Sequence, residues 1–453
     1  MIKSVNPYTQ QEVFEIEELS SGQVEKVIEK ADTAFLSWRE VSFKERSRLM
    51  LDAAKELRKN KQEYAETITK EMGKPITLSL DEIEKCAWLC EYYAENAEKQ
   101  LADRKVVTEA FDSYVTHEPL GVVLAVMPWN YPLWQVFRFA VPLLMAGNVG
   151  ILKHASNVIE CAENIQKIFW RAGFPEGCFT NLAIRSGEVE KILRNKKVKA
   201  VALTGSNGAG SAVAAIAGSE IKRSVMELGG SNALVVLEDA DIDKTVKTCV
   251  LSRFQNTGQS CIAGKRLLVH SAVAEEFTQK FVAAVKALKS GDPMDKDTYI
   301  GTMAREDLAQ ELEASVQNSV KQGAKILTGG KRNAAYLEPT VLGNVTPEMS
   351  VFTDETFGPV IGITLFDTEE QAVALANDSI YGLGASIFTE DLQRARRLIP
   401  KFDDGSVFIN ERVKSDPRLP FGGVKSSGYG RELSYEGIQE FVNVKTVYIN
   451  KYE

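Results

Sequence analysis

The chain has 453 residues, 44% hydrophobic and 26% charged, with a formal net charge of −8. That length suggests two or three domains with ample buried surface and no need of a disulfide or metal staple. An acidic balance without any lysine or arginine block argues against nucleic acid or an anionic membrane as partner, and no apolar run approaches the roughly 20 residues of a spanning helix.

In chain order, the N-terminal segment Met1-Ile2-Lys3-Ser4-Val5-Asn6-Pro7 lacks the apolar core of a leader. Residues 24–38 carry Val24, Val27, Ile28, Ala31, Ala34 and Phe35 close to a 3.6 period, which predicts a helix. The first hundred residues read as mostly helical, packing around a first sheet. Short apolar runs at 122–126, 149–152, 200–203, 233–237, 266–270, 361–366, 386–388 and 406–409 predict strands, several apolar on both faces as in a helix-covered parallel sheet. Helices are predicted at 243–256 and 274–286, and Ala172-Gly173-Phe174-Pro175-Glu176-Gly177 reads as a helix end turning toward a strand. At 442–449, Val442, Val444, Thr446 and Tyr448 alternate, which fits an edge strand pairing with another subunit and a strand of its own sheet equally well. The alternation of strand and helix over more than 300 residues gives an α/β fold with doubly wound layers.

Six cysteines, Cys86, Cys90, Cys161, Cys178, Cys249 and Cys261, form no dense framework and no CxxC pair, which fits a reducing cytoplasm. Three histidines without HExxH give no metal site. Four segments could carry chemistry. Cys261 follows the polar stretch Asn256-Thr257-Gly258-Gln259-Ser260, where a partly exposed, reactive thiol is more plausible than at cysteines on apolar helices. Glu227 interrupts an apolar strand end before Gly229 and Gly230, so partial desolvation would raise its pKa toward that of a general base. Asn130, in Met127-Pro128-Trp129-Asn130-Tyr131-Pro132 after a strand, could donate to an oxyanion. Leu203-Thr204-Gly205-Ser206 runs from a strand into a glycine-rich helix start that could hold a phosphate, although it is not GxGxxG.

Together with Glu355-Thr356-Phe357-Gly358-Pro359-Val360 and Pro420-Phe421-Gly422-Gly423-Val424-Lys425-Ser426-Ser427-Gly428, these motifs resemble the aldehyde dehydrogenase superfamily over nearly the whole chain. Lys153-His154-Ala155-Ser156-Asn157 and Ser415-Asp416-Pro417-Arg418-Leu419 look most like bacterial succinate-semialdehyde dehydrogenases. The resemblance implies Cys261 as nucleophile, Asn130 and the Cys261 N–H as oxyanion donors, and Glu227 as the base that activates water on a thioester. It assigns the cofactor to Trp129, Lys153, Gly205, Ser206, Glu355 and Phe357. Ser156, where many NAD-preferring relatives carry a glutamate, points to NADP used at least as well as NAD. Substrate candidates are Arg138, expected to grip a distal carboxylate with two parallel hydrogen bonds, Arg418, Ser415 as a neutral donor, and Gln255, which stands where some relatives carry a second arginine. Ala263 excludes a disulfide with a cysteine two residues after the nucleophile. The resemblance further implies a Rossmann-like cofactor domain (1–100 and 120–230), an α/β catalytic domain (231–432) and a small β oligomerisation extension (101–119 and 433–453) that builds a homodimer or homotetramer. Glu227 argues against a CoA-acylating enzyme, and retention of all three catalytic positions argues against a silent scaffold.

Overall fold

The computed structural model of the protein describes residues 1–452. A six-stranded sheet runs in the order Gly428–Tyr429, Arg223–Glu227, Val198–Thr204, Val122–Met127, Val149–His154, Phe179–Asn181, parallel except for Gly428–Tyr429. A seven-stranded sheet follows the order Lys325–Thr328, Thr340–Gly343, Val360–Phe366, Gly264–His270, Asn232–Val236, Ala385–Phe388, Val407–Ile409, and only Lys325–Thr328 is antiparallel. Both sheets are covered by helices, the α/β arrangement expected from strands such as Val122–Met127 and Asn232–Val236 that are apolar on both faces. Among the described residues no helix is long and apolar enough to cross a membrane.

The first hundred residues do pack on the first sheet. Helices Ser21–Trp38, Phe43–Lys59, Lys61–Met72 and Ile76–Gln100 contribute Ile28, Trp38, Met50, Ile68, Ile83 and Tyr93 to the same core as Val123, Leu124 and Ile151. Each such side chain contributes about 1.5–3 kcal/mol on burial. The helix foreseen at 24–38 begins at Ser21 because Ser20 and Gln23 close a reciprocal capping box.

Two polar contacts inside this core fix elements that bear on the site. Helix Trp134–Met145 has no capping side chain of its own. Its first N–H groups are met from elsewhere: Leu133 and Trp134 both donate to Glu82 Oε1 at 2.9 Å. Glu82 is also ion-paired with Lys74, and both are buried. An anion at a helix N-terminus is stabilised by the free N–H groups and the dipole, so Glu82 anchors the loop that precedes this helix.

Val442–Ile449 pairs antiparallel along its whole length with Asp112–Pro119, which carries Arg104–Lys105 on its other side. The strand is therefore a member of its own three-stranded sheet, with its outer edge unpaired and Val444 and Tyr448 exposed.

Candidate functional site

Four adjacent parallel strands of the first sheet end on one edge, and the loops there carry most of the sequence-predicted residues. Val122–Met127 leads to Trp129 and Asn130, Val149–His154 contains Lys153, Val198–Thr204 leads to Gly205 and Ser206, and Arg223–Glu227 ends on Glu227. The C-terminal edge of a parallel sheet is where α/β folds hold ligands. Cys261 comes from the second sheet, from the loop that enters strand Gly264–His270 at its N-terminal end.

That loop is built under strain. The helix predicted to run to residue 256 stops at Phe254, because Gln255 is extended and both Asn256 and Thr257 take left-handed conformations, φ 56° and 54°. For a β-branched residue this is an outlier, costing on the order of 1–3 kcal/mol. Arg253, with no exposed surface, holds the bend. Its Nη2 donates to the carbonyls of Gly258 at 2.9 Å, Thr356 at 3.0 Å and Gly358, and its Nη1 to Gly264 at 3.2 Å. Gly258 has φ +73°, and a Cβ there would lie 2.3 Å from the Gly358 carbonyl oxygen, so a side chain is excluded.

The Asn130 and Cys261 loops are stitched together. Asn130 Nδ2 donates to the Gln259 carbonyl at 3.2 Å, and Asn256 Nδ2 donates to the carbonyls of Asn130 at 2.9 Å and Gln259 at 3.1 Å. One hydrogen of the Asn130 amide remains free. Cys261 is partly exposed. Burial pushes its thiol up to about 11, against the pull of Arg138 and Lys265. Lys265 has no exposed surface; its ammonium donates to the Cys261 carbonyl at 2.8 Å, the Gly230 carbonyl at 2.5 Å and Glu355 Oε1 at 2.7 Å.

Glu227 is buried, and its Oε1 has no hydrogen-bond partner. Burial, then the charge of Glu432, push its carboxyl well above the usual range; Arg138 and Arg431 act the other way. Gly422 packs against it: a Cβ there would come within 2.8 Å of Glu227 Oε1, which gives the Phe421-Gly422-Gly423 motif a steric reason.

The nucleotide-side candidates converge on the same edge. Trp129 and Phe357 meet edge to face, ring centres 5.7 Å apart. Ser206 caps helix Asn207–Ser219 by accepting from Ala209 N–H at 3.4 Å. Lys153 is half-buried, with no carboxylate within 4 Å among the described residues, and Ser156 is exposed at the start of a 3-10 turn. A helix N-terminus, an unpaired ammonium and an exposed hydroxyl form a donor set that fits an anionic dinucleotide. Glu355 meets Gly230 N–H at 3.0 Å as well as Lys265.

A cavity of about 690 Å³ opens beside Cys261, with Gln255, Arg138 and Ser415 in its wall. Two substrate expectations change. Arg418 does not line the cavity: its guanidinium is exposed, paired with Asp416 at 2.8 Å and lying over Trp88. The local pairing of residues two apart outcompetes reach into the cavity. Arg138 lines the cavity with its charge matched by Glu432, whose Oε2 lies 2.7 Å from Nε without hydrogen-bond geometry, and with Nη2 donating to Gln135. Its guanidinium also lies over the Phe421 ring at 4.4 Å. Ser415 accepts hydrogen bonds from Lys85 Nζ at 2.8 Å and Trp134 Nε1 at 3.1 Å, which leaves its own proton to donate.

Sequence reasoning missed Lys85, Arg412, Glu432, Arg253, Lys265 and Glu82. A trace existed for Lys85, a lysine set among Ile83, Cys86 and Leu89 on an apolar helix face. The others act through partners distant in sequence.

The sequence profile of the aldehyde dehydrogenase family matches residues 1–447. The chain is 47% identical over 452 residues to a probable NADP-dependent succinate-semialdehyde dehydrogenase of Synechocystis, covering 99% of each chain. It is 44% identical to the NAD(P)-dependent succinate semialdehyde dehydrogenase Sad of Escherichia coli, covering 98% of this chain and 97% of that one. Among solved structures, a succinic semialdehyde dehydrogenase from Streptococcus pyogenes in complex with NADP+ superposes with a TM-score of 0.97 at 34% identity, covering all of both chains.

Proposed function

The chain belongs to the aldehyde dehydrogenase family, and from that premise we propose that it oxidises succinic semialdehyde to succinate with NADP or NAD, through a thioester on Cys261 that water hydrolyses. The observation that carries this reading is the set of side chains in and around one cavity: a partly exposed thiol, an amide with a free hydrogen, a buried carboxylate with a raised pKa, and a wall of cationic donors.

The Cys261 thiolate attacks the aldehyde carbon. The free hydrogen of the Asn130 amide, together with the Cys261 N–H, meets the developing oxyanion; a preorganised donor of this kind is worth about 2.7–4 kcal/mol. A nicotinamide held at this edge would supply the hydride acceptor. Glu227, whose burial raises its affinity for a proton, in its ionised form takes one from the water that attacks the thioester, and the Cys261 thiolate leaves; passing through the thioester divides one hard step into two easier ones. Trp129, Gly205, Ser206, Glu355 and Phe357 would hold the dinucleotide. Lys153 and Ser156 would flank its adenine ribose, where a neutral serine admits the 2′-phosphate that a carboxylate would repel. The close relatives named for NADP or NAD(P) support that choice.

We assign residues 1–100 and 120–230 to the cofactor side, 231–432 to the catalytic side, and 101–119 with 433–453 to an extension. The unpaired edge of Val442–Ile449 supports a homodimer or homotetramer, and the six free cysteines fit a reducing cytoplasm.

The test is formation of reduced cofactor from succinic semialdehyde without CoA, in the wild type, Cys261→Ala and Glu227→Gln. Cys261→Ala should be inactive yet bind NADP. Glu227→Gln should give one burst and then stall as acyl-enzyme. Dependence of the wild type on CoA would overturn the hydrolytic reading, and steady turnover by Cys261→Ala would overturn the nucleophile.

A further inference from the structure

Lys85, on helix Ile76–Gln100, and Arg412 both line the cavity that holds Cys261. Cations elsewhere in its wall and at its mouth are matched: Arg58 by Glu84 and Glu91, Lys414 by Glu411, Arg138 by Glu432. Lys85 and Arg412 have no carboxylate within 4 Å among the described residues. Lys85 Nζ donates only to Ser415 Oγ and lies 4.2 Å from the centre of the Trp134 ring. The acidic groups that it feels are committed: Glu82 to Lys74 and the helix N-terminus, Asp416 to Arg418. Asp81, one turn before Lys85, shares the wall, and Glu411 adjoins Arg412, yet neither comes within 4 Å of the side-chain nitrogens of these two cations; an ammonium and a guanidinium without ion-pair partners, beside a hydroxyl whose proton is free, make a receptor for a small anion.

We propose that Lys85 and Arg412, with the Ser415 hydroxyl, bind the distal carboxylate of an ω-carboxy aldehyde, and so replace the second arginine whose place Gln255 takes. This rests on the reading of the site as a carboxy-aldehyde dehydrogenase, and it adds to Arg138, whose charge Glu432 matches, cations from two other segments.

A consequence separates this arrangement from a two-arginine grip. Burial, then the neighbouring Arg138 and Arg412, bring the Lys85 ammonium down to about 7; the Cys86 thiol and Glu82 act weakly the other way. A carboxylate seated beside it restores the charge. At pH 8 the empty cavity holds mostly neutral amine, so each bound anion takes up close to one proton; at pH 6, where the amine is already charged, uptake is small.

Succinate, the product, is the probe. Its binding to the wild-type protein is measured by isothermal titration calorimetry at pH 6 and pH 8, in buffers of different ionisation enthalpy. The wild type should bind with proton uptake at pH 8. Lys85→Met should lose roughly 10–150-fold in affinity, the range for a charge-assisted contact, along with the uptake. Lys85→Arg, permanently charged, should keep much of the affinity and lose the uptake, a separation that a merely structural role does not produce. Arg412→Met should weaken succinate and keep part of the uptake, because without the neighbouring guanidinium the Lys85 ammonium of the empty cavity holds its proton to somewhat higher pH. Equal affinity and equal uptake in wild type and Lys85→Met would overturn the proposal while leaving the carboxy-aldehyde reading intact. A wild-type protein that ignores succinate but oxidises butanal efficiently would instead overturn that reading, and the proposal with it.

Discussion

Glu432 was invisible as a functional residue in the sequence, yet it lies against the charge network of the proposed base. Its carboxylate is 2.7 Å from Arg138 Nε, an ion pair without hydrogen-bond geometry, with side-chain exposures of 6% and 2%. Its charge is the second cause, after burial, of the raised Glu227 carboxyl, and Arg138 is the first opposing one. Glu432→Gln removes the negative charge and leaves the positive charge of Arg138 uncompensated beside Glu227. The charge that disfavours ionised Glu227 is gone while Arg138 still favours it, so the Glu227 pKa falls. At an effective dielectric of 20, one unit charge roughly 6 Å away is worth about 3 kcal/mol, and a pH unit is 1.36 kcal/mol. A shift of roughly one to two units downward is expected after allowance for screening. The assay is single-turnover deacylation: the acyl-enzyme is formed by rapid mixing, and its hydrolysis is followed against pH. The rising limb of the profile, which reports ionisation of the base, should move to lower pH in Glu432→Gln. The substitution also breaks a buried pair, so stability should fall by about 3–5 kcal/mol, less whatever the glutamine carbonyl recovers from Arg138. Urea denaturation measures that, and Arg138→Met in the same background should restore part of it. A folded Glu432→Gln protein with an unmoved limb would show that Glu227 does not feel Glu432, and the electrostatic reasoning would fail.

Other outcomes follow from the same geometry. Ser156→Glu should lower the ratio of kcat/KM for NADP over NAD by roughly 5–150-fold, from about 1–3 kcal/mol of repulsion at a partly solvated site; an unchanged ratio in steady-state assays would remove the 2′-phosphate from this residue. Arg418→Ala should change kcat/KM for succinic semialdehyde less than threefold, since its guanidinium is exposed and already paired with Asp416. A larger, substrate-specific loss would return Arg418 to the substrate site.

The sequence by itself determined the layered α/β architecture, because two-faced apolar strands such as Val122–Met127 and amphipathic helices such as Ala274–Lys286 are written in local periodicity. It also offered Cys261, Glu227 and Asn130 as candidates, since a thiol after a polar loop, a carboxylate at an apolar strand end and an amide between prolines are local anomalies, and the family resemblance gave them their roles. Tertiary structure decided the rest. The helix expected through residue 256 ends two residues sooner because Arg253 gathers carbonyls from Thr356 and Gly358, about a hundred residues away, around a left-handed bend. The family resemblance offered Arg138 as a carboxylate grip, and only the fold brings Glu432 to it across nearly three hundred residues. Lys85 is one lysine among apolar residues in the sequence; the fold sets it beside Ser415, with no carboxylate within 4 Å among the described residues. Whether a charged side chain is paired or free depends on what other segments bring within a few ångströms of it. Hydrophobic periodicity carries no record of that, because it specifies which face is buried and not which charges meet there.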